Sequence, residues 1–455
     1  MRPTQPLRIL TLGLVGLSLI ACSATANPNG TPATATTPGP TRVATSIAPA
    51  DAAPDAMLLV GRAGEPGLRL LVAPTGEAVM DVPAGTPDAT WTRMVTATAE
   101  SAKTQVRDLL LTGGQPGPRL DIDGSWRLPT IGLERVPAGV SADGSTIALV
   151  PADGVASGAA GMSRFAIVHH ADGDRPTTSR DAPLRLATTI ELRGAFEFDA
   201  LSPSGDVLYV VEHLDGQTGR YQVRAVDVAT GKLRDQVIAD KRNLDEAMAG
   251  WPIAQLRRSD GVVLTLYRGL EHPFVHALNT AEAWAVCLDL PANDASDAVA
   301  ARDWGLAPSA DGKTVYAINA SLGLAAEINL SELTVTKTSR LEAATTGSAG
   351  SIVLAKFGHD VVGSAGRVVV SPDGGILWAA GSKGILEVNT RDLTTRHRFL
   401  DGTAVDGIAA APDGSVLFAL VHNGGRIVAL LPGTGRDAGA VPGGGFDRLL
   451  AAAPW

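Results

Sequence analysis

Disulfide partners, aromatic side chains and charge are all scarce in this chain. Only two cysteines occur, Cys22 and Cys287; if Cys22 is committed elsewhere, Cys287 has no partner and an internal disulfide framework is excluded. The formal charge is −9 with no long basic run, which argues against a nucleic-acid partner. No nucleophile elbow, phosphate-binding glycine loop, Cys-x-x-Cys or His-Glu-x-x-His occurs, so no catalytic residue and no metal ligand is assigned. That lowers the odds of catalysis without removing it, because a site assembled from many repeats leaves no local motif. Aromatics make up 4% and charged residues 19%, against 51 glycines in 455 residues. So many turns and small side chains suit repeated β-structure better than a helical bundle, and the length exceeds one ordinary core.

The first segment has an address of its own. Arg2 and Arg8 precede an apolar stretch from Ile9 to Ala21, too short to span a bilayer comfortably and matched to a signal-peptide core. It ends in Leu19-Ile20-Ala21-Cys22. This resembles the bacterial lipobox, which implies a diacylglycerol on Cys22, cleavage before it, and a cell-membrane location with the body facing the extracytoplasmic side. Ala24 and Ala26 leave an ordinary secretory cleavage as the alternative. Residues 23–55 are Ala, Thr, Pro, Ser, Asn and Gly with almost no large apolar side chain. Such a segment cannot bury enough surface to offset its chain entropy, and it is expected to be a disordered tether. Acyl chains would hold the protein to the membrane by burying CH₂ groups. The expected organisation is therefore a signal peptide over 1–22, a tether over 23–55 and a folded body over 56–455.

Within that body one pattern recurs: an apolar run, a Ser/Ala-Pro-x-Gly turn or close variant, and a second apolar run. The turn glycines are Gly144, Gly205, Gly261, Gly312, Gly374 and Gly414, spaced 40 to 62 residues apart. Pro pre-sets φ, Asp caps the local backbone and Gly accepts positive φ, so each is a turn with a mechanism. Further strands follow each hairpin, as in Gln222–Asp227 and Lys232–Ile238. Leu201-Ser202-Pro203-Ser204-Gly205 and Val226-Asp227-Val228-Ala229-Thr230-Gly231-Lys232 resemble the YVTN/WD40-like propeller blade. The resemblance implies an all-β propeller of four-stranded antiparallel blades, and says little about activity. Two upstream units, over 57–83 and 90–128, bring the count to eight, with seven as the alternative. Met94–Ala97, Val106–Leu111 and Trp126–Leu128 are the strand candidates of the second. The first lacks an innermost strand, and the C-terminal run from Phe446 to Pro454 is expected to supply it, closing the ring and removing open edges.

The turns of the Pro-Asp-Gly type are short, so the opposite face carries the long connections, where binding function usually sits. Candidate groups on that face are Glu212 and His213, Asp240, Lys241 and Arg242, Glu271 and His272, and His359. In Phe196-Glu197-Phe198-Asp199-Ala200, Glu197 and Asp199 stand at i and i+2, hence on one face of a strand. Glu212-His213 and Glu271-His272 echo each other in neighbouring blades and could share a pocket; solvated loop ends are the plainer reading. Pro273 and the β context argue against a metal pair from His272 and His276. Cys287 reads as a buried inert thiol, and His169-His170 as a pair without partner spacing.

The leading expectation is a monomeric, non-catalytic binding or scaffold module for a protein, peptide or envelope glycan, with no cofactor. The alternative is a lactonase- or lyase-like propeller enzyme with a divalent cation at the channel mouth, held by Glu197, Asp199 or His272.

Overall fold

A computed structural model describes residues 56–454 apart from 63, 66, 89–91, 112–115, 133–135, 154–160, 174, 215–218, 241, 243–247, 259, 293–299, 343–364 and 423. The expected signal peptide with Cys22, the expected tether, Lys241 and His359 fall outside the described residues. By internal contacts the chain divides into Met1–Ala48 and Pro49–Trp455, and every described residue belongs to the second.

The described residues fold as a β-propeller of antiparallel sheets. Among them there is no α-helix, only a short 3₁₀ turn at Ala300–Arg302. Sheet A combines Phe446–Pro454, Ala56–Arg62, Gly67–Val72 and Ala78–Pro83 in that spatial order. Sheet B follows with Gly85–Pro87, Arg93–Glu100, Lys103–Leu110 and Arg119–Asp123. Sheet C holds Thr146–Pro151, Met162–Asp172 and Leu184–Arg193. Sheet D is Phe196–Leu201, Val207–His213, Arg220–Asp227 and Lys232–Ile238; sheet E is Met248–Arg257, Val262–Gly269, Phe274–Asn279 and Trp284–Asp289. Sheets F, G and H begin at Trp304–Pro308, Val368–Val370 and Val405–Ala410 and repeat the same meander.

The C-terminal strand does pair with the first one, Leu58 opposite Ala452 and Leu59 opposite Ala451. One expected strand lies elsewhere: Trp126–Arg127 pairs with Val150 and Pro151 of sheet C, and Arg119–Asp123 takes the outer place in sheet B. The charged, alternating Arg119–Asp123 segment suits a half-exposed edge, whereas Trp126 is buried between sheets B and C.

Turn chemistry explains the repeat. Gly205, Gly312, Gly374 and Gly414 have φ of 74°, 68°, 74° and 72°, the left-handed region that favours glycine. The serine opening the turn adds a cap that the sequence reading did not assign. Ser202 Oγ accepts the Val207 N–H at 3.0 Å and donates to Asp206, and Ser371 Oγ accepts the Ile376 N–H at 2.9 Å.

Each hydrophobic cluster lies between two successive sheets. Sheets D and E share Tyr209, Tyr221, Val263 and Tyr267, and sheets H and A share Phe418, Leu420, Leu58 and Val60. Small residues such as Ala317, Ala326, Ala379 and Ala419, all buried, let adjacent sheets approach closely, which is why so few aromatics suffice. A buried ionic cluster also links sheets B and C. Asp108 receives Arg180 through two bonds of 2.6 and 2.7 Å, with His170 3.2 Å away. Burial would raise the Asp108 pKa, but His170 and Arg180 hold it below its ordinary value. His170 thus has a partner that local spacing did not reveal.

Candidate functional site

The inner strand of sheet D carries the acidic pair. In Phe196–Leu201, the pairing register slips between Phe198 and Ala200, so Asp199 is the extra residue of a β-bulge. Bulges re-aim side chains, and this one gives the two carboxylates different neighbours. The regular alternation expected to put both on one strand face is interrupted here by the bulge. Glu197 turns to His213 at the end of the next strand, whose Nε2 lies 3.3 Å from Glu197 Oε2. That is an ion-pair distance without an aligned hydrogen bond. The His213 backbone N–H donates to Ala195 O at 2.9 Å, fixing where the imidazole starts. Glu197 raises the His213 pKa, and His213 holds Glu197 below the usual carboxylate range.

Asp199 faces sheet E and is only 2% exposed. Its Oδ1 accepts a bond from Gln255 Nε2 at 3.2 Å, and Gln255 also donates to Thr265 Oγ1 at 3.0 Å. Asp199 Oδ2 is buried with no hydrogen-bond partner. Burial pushes this carboxyl up to about 6, with Arg257 and Gln255 opposing. Arg257 stands over the Phe198 ring at 5.9 Å and donates to Gln255 Oε1 at 3.1 Å; burial lowers its pKa to about 10 while Asp199 opposes that. Desolvation therefore outweighs the mutual attraction at both ends of this pair.

Aromatic rings back the acid. Tyr221 stacks on Tyr267 with ring centroids 5.0 Å apart, Tyr267 stacks on Phe274 at 5.1 Å, and His276 meets Tyr267 edge-on at 6.3 Å. The Tyr221 hydroxyl is buried without a hydrogen-bond partner, and burial keeps both phenols well above their usual pKa. His276 is pushed down to about 4 by burial. Above these rings opens a cavity of about 690 Å³ between sheets C, D and E. Its polar lining includes Arg127, Glu197, Asp199, His213 and Arg220, and one wall is Trp251. The indole is 46% exposed although it stands on a strand. Gly219, at φ 70°, lies against it, and a Cβ there would come within 3.1 Å of the ring.

Of the groups singled out in the sequence, the structure brings Glu197, Asp199 and His213 to this cavity. Of the other described ones, Glu212, Asp240, Arg242, Glu271 and His272 are not among its lining. Glu212 is held by Arg224 at 2.7 Å and Gln222 at 2.6 Å along the sheet. Asp240 is buried and accepts the backbone N–H of Cys287 and of Arg242, each at 2.8 Å. Arg242 in turn donates to the Cys287 carbonyl, so this pair staples the end of sheet D to the edge strand of sheet E. His272 Nε2 lies 2.9 Å from Asp289, and Glu271 is exposed beside it. The pocket imagined between Glu212-His213 and Glu271-His272 is not formed, and His272 does not join Glu197 and Asp199. Among the described residues, no three His, Cys, Asp or Glu side chains converge as metal ligands.

Sequence reasoning missed Arg127, Arg220, Tyr221, Trp251 and Tyr267. It also missed a second acid–imidazole pair, in which His422 Nδ1 lies 2.8 Å from Asp406 Oδ2 in sheet H. The signal for it was present. Asp406 and His422 are 16 residues apart, as Glu197 and His213 are, and the His422 N–H also donates to the carbonyl two residues before its acid, Ala404. Beside it, Arg367 lies 3.0 Å from Asp303, both buried.

No family profile matches the chain, and no curated protein matches it in sequence. Among solved structures, it is similar to the dihydro-heme d1 dehydrogenase NirN in complex with DHE, at 13% identity and a TM-score of 0.52, over 92% of this chain and 79% of that one. It is also similar to apo AztD from Citrobacter koseri, at 10% identity and a TM-score of 0.50, over 88% and 98% of the two chains. Likeness at this level of identity carries the propeller fold alone.

Proposed function

We propose that the protein is a lipid-anchored, extracytoplasmic propeller of eight blades that acts as a binding module for a component of the cell envelope. The ligand seat is the cavity between sheets C, D and E. The blade count is supported by the run of sheets A to H, with H packed back on A. The anchor is supported by the Leu-Ile-Ala-Cys sequence ending at Cys22 and the low-complexity segment after it.

The observation that carries the binding reading is the state of Asp199. A buried carboxylate oxygen without a partner costs of the order of 1–3 kcal/mol, more when charged, and a fold retains such a group where an occupant completes it. Asp199 also lines a cavity of about 690 Å³, a size within the small-ligand range. Tyr221, whose hydroxyl is also buried and unpartnered, lines the same cavity. Scattered loop charges, which first suggested a broad face, are consumed by local pairs at Glu212, Asp240 and His272.

Two measurements test this. Metabolic labelling with an acyl analogue should mark the wild type and not Cys22→Ser, which should leave the membrane fraction; unchanged partitioning would remove the anchor. The immobilised propeller should retain a component of its own envelope fraction, lose it on His213→Ala or Arg220→Ala, and keep it on Glu271→Ala. Retention that ignores the first two substitutions would move the site elsewhere.

A further inference from the structure

The chemistry of the cavity narrows its occupant. Its titratable lining mixes both signs, with Arg127, Arg220 and His213 beside Glu197 and Asp199. An anionic ligand would meet two carboxylates and a cationic one two guanidinium groups. A hydroxyl avoids both penalties, because it donates to one neighbour and accepts from another. The unpartnered groups buried behind this lining are of the matching kind: Asp199 Oδ2 lacks a donor, and the Tyr221 hydroxyl takes either role. Charge-assisted bonds from hydroxyl to carboxylate are short and strong in a site shielded from water. The remaining feature is Trp251, a large flat apolar surface left 46% exposed at the cavity wall. An indole at such a position offers a stacking face to a partner that has one apolar side and polar edges. The stacked rings of Tyr221, Tyr267 and Phe274 make the floor rigid, so little ordering entropy is lost when a ligand arrives.

From these features we infer that the cavity binds an uncharged saccharide, its ring laid on Trp251 and its hydroxyls bonded to Asp199 and Tyr221. This rests on the binding-module reading above and specifies the ligand class for the same site. Glu197 and His213, paired at the mouth, contact the portion of the glycan that leaves the cavity.

The test uses the full-length protein in detergent. Oligosaccharides released from its own envelope are separated by anion exchange into neutral and acidic pools, and a peptide pool is prepared from the same material. Calorimetric titration should give saturable binding for the neutral pool. Trp251→Ala and Asp199→Asn should each weaken it at least tenfold, with His272→Ala unchanged. Melting curves establish that each variant is folded, and Trp251→Phe, which keeps a ring, should recover part of the loss. Binding of the acidic or peptide pool in place of the neutral one overturns the saccharide assignment, as does neutral binding that is indifferent to Trp251 and Asp199. Retention of an envelope component that depends on His213 and Arg220, without any neutral saccharide binding, also overturns it while leaving the binding module standing. No retention at all removes both.

Discussion

Asp199→Asn should change how stability varies with pH, in a direction set by burial. The native carboxyl is raised from 3.8 to about 6, so between those values the folded protein binds more protons than the unfolded chain. Stability from this group therefore falls as pH rises. A shift of about two units corresponds to ~3 kcal/mol when fully expressed above the native pKa, since each unit is worth about 1.4 kcal/mol. Roughly 1 kcal/mol of that is already present at pH 4.5, where the unfolded chain has begun to ionise. The wild type should thus lose about 2 kcal/mol relative to Asp199→Asn between pH 4.5 and pH 8. Asparagine keeps the Oδ1 acceptor used by Gln255, so the comparison isolates the charge. Paired denaturant curves at the two pH values give the difference, and groups common to both proteins cancel. A difference that stays constant across pH, or grows in favour of the wild type at pH 8, would refute the argument that desolvation dominates at this site.

His276 works in the opposite sense. Its imidazole is pushed down to about 4, so the unfolded chain takes a proton below 6.5 that the native state refuses, and stability is lost as pH falls through that window, by about 3 kcal/mol at pH 4. His276→Phe should flatten the acid side of the stability–pH curve measured by denaturation; an unchanged slope would mean that the buried ring is not held neutral. Arg180→Met leaves Asp108, fully buried, without its two shortest bonds and should lower stability by about 3–5 kcal/mol. Adding Asp108→Leu to that variant should recover part of the loss in the same denaturation assay, because no uncompensated charge then remains.

The acid window also bears on the two acid–imidazole pairs. Pairing lowers the Glu197 carboxyl and raises the His213 imidazole. Asp406 differs from Glu197 in that burial raises its pKa, with His422 opposing. Equivalent positions in two repeats therefore hold the same residue types in different electrostatic settings. Glu197 is exposed at the mouth of the cavity, and Asp406 is buried near the Arg367–Asp303 pair.

The repeat, the strand order and the ring closure were legible in the chain because they are local or nearly so. Pro, Asp and Gly set the turns; alternation set the sheet faces; and the run from Phe446 to Pro454 matched an inner strand that the first unit lacked. Trp126 shows where such reading stops. Its two-residue strand was assigned by proximity, whereas burial between two sheets decided its pairing.

The site divides along the same line. Glu197, Asp199 and His213 could be named from sequence because they interrupt an apolar pattern at strand ends. That Glu212, Asp240 and His272 are tied up by Arg224, Cys287 and Asp289 depends on cross-strand register and on which blade edges meet. That Asp199 keeps one oxygen without a donor, in a cavity it lines with Tyr221 and Trp251, depends on a single bulge and on the packing of sheet D against sheet E. Turn chemistry and hydrophobic periodicity act over a few residues, so the amino-acid sequence alone shows the kind of element and the turns that join successive strands. Desolvation and pairing of a charged group depend on which strands and blades meet, as with Asp199 and Gln255, 56 positions apart, so only the folded arrangement of blades decides which carboxylates are paired and which one keeps an oxygen without a donor.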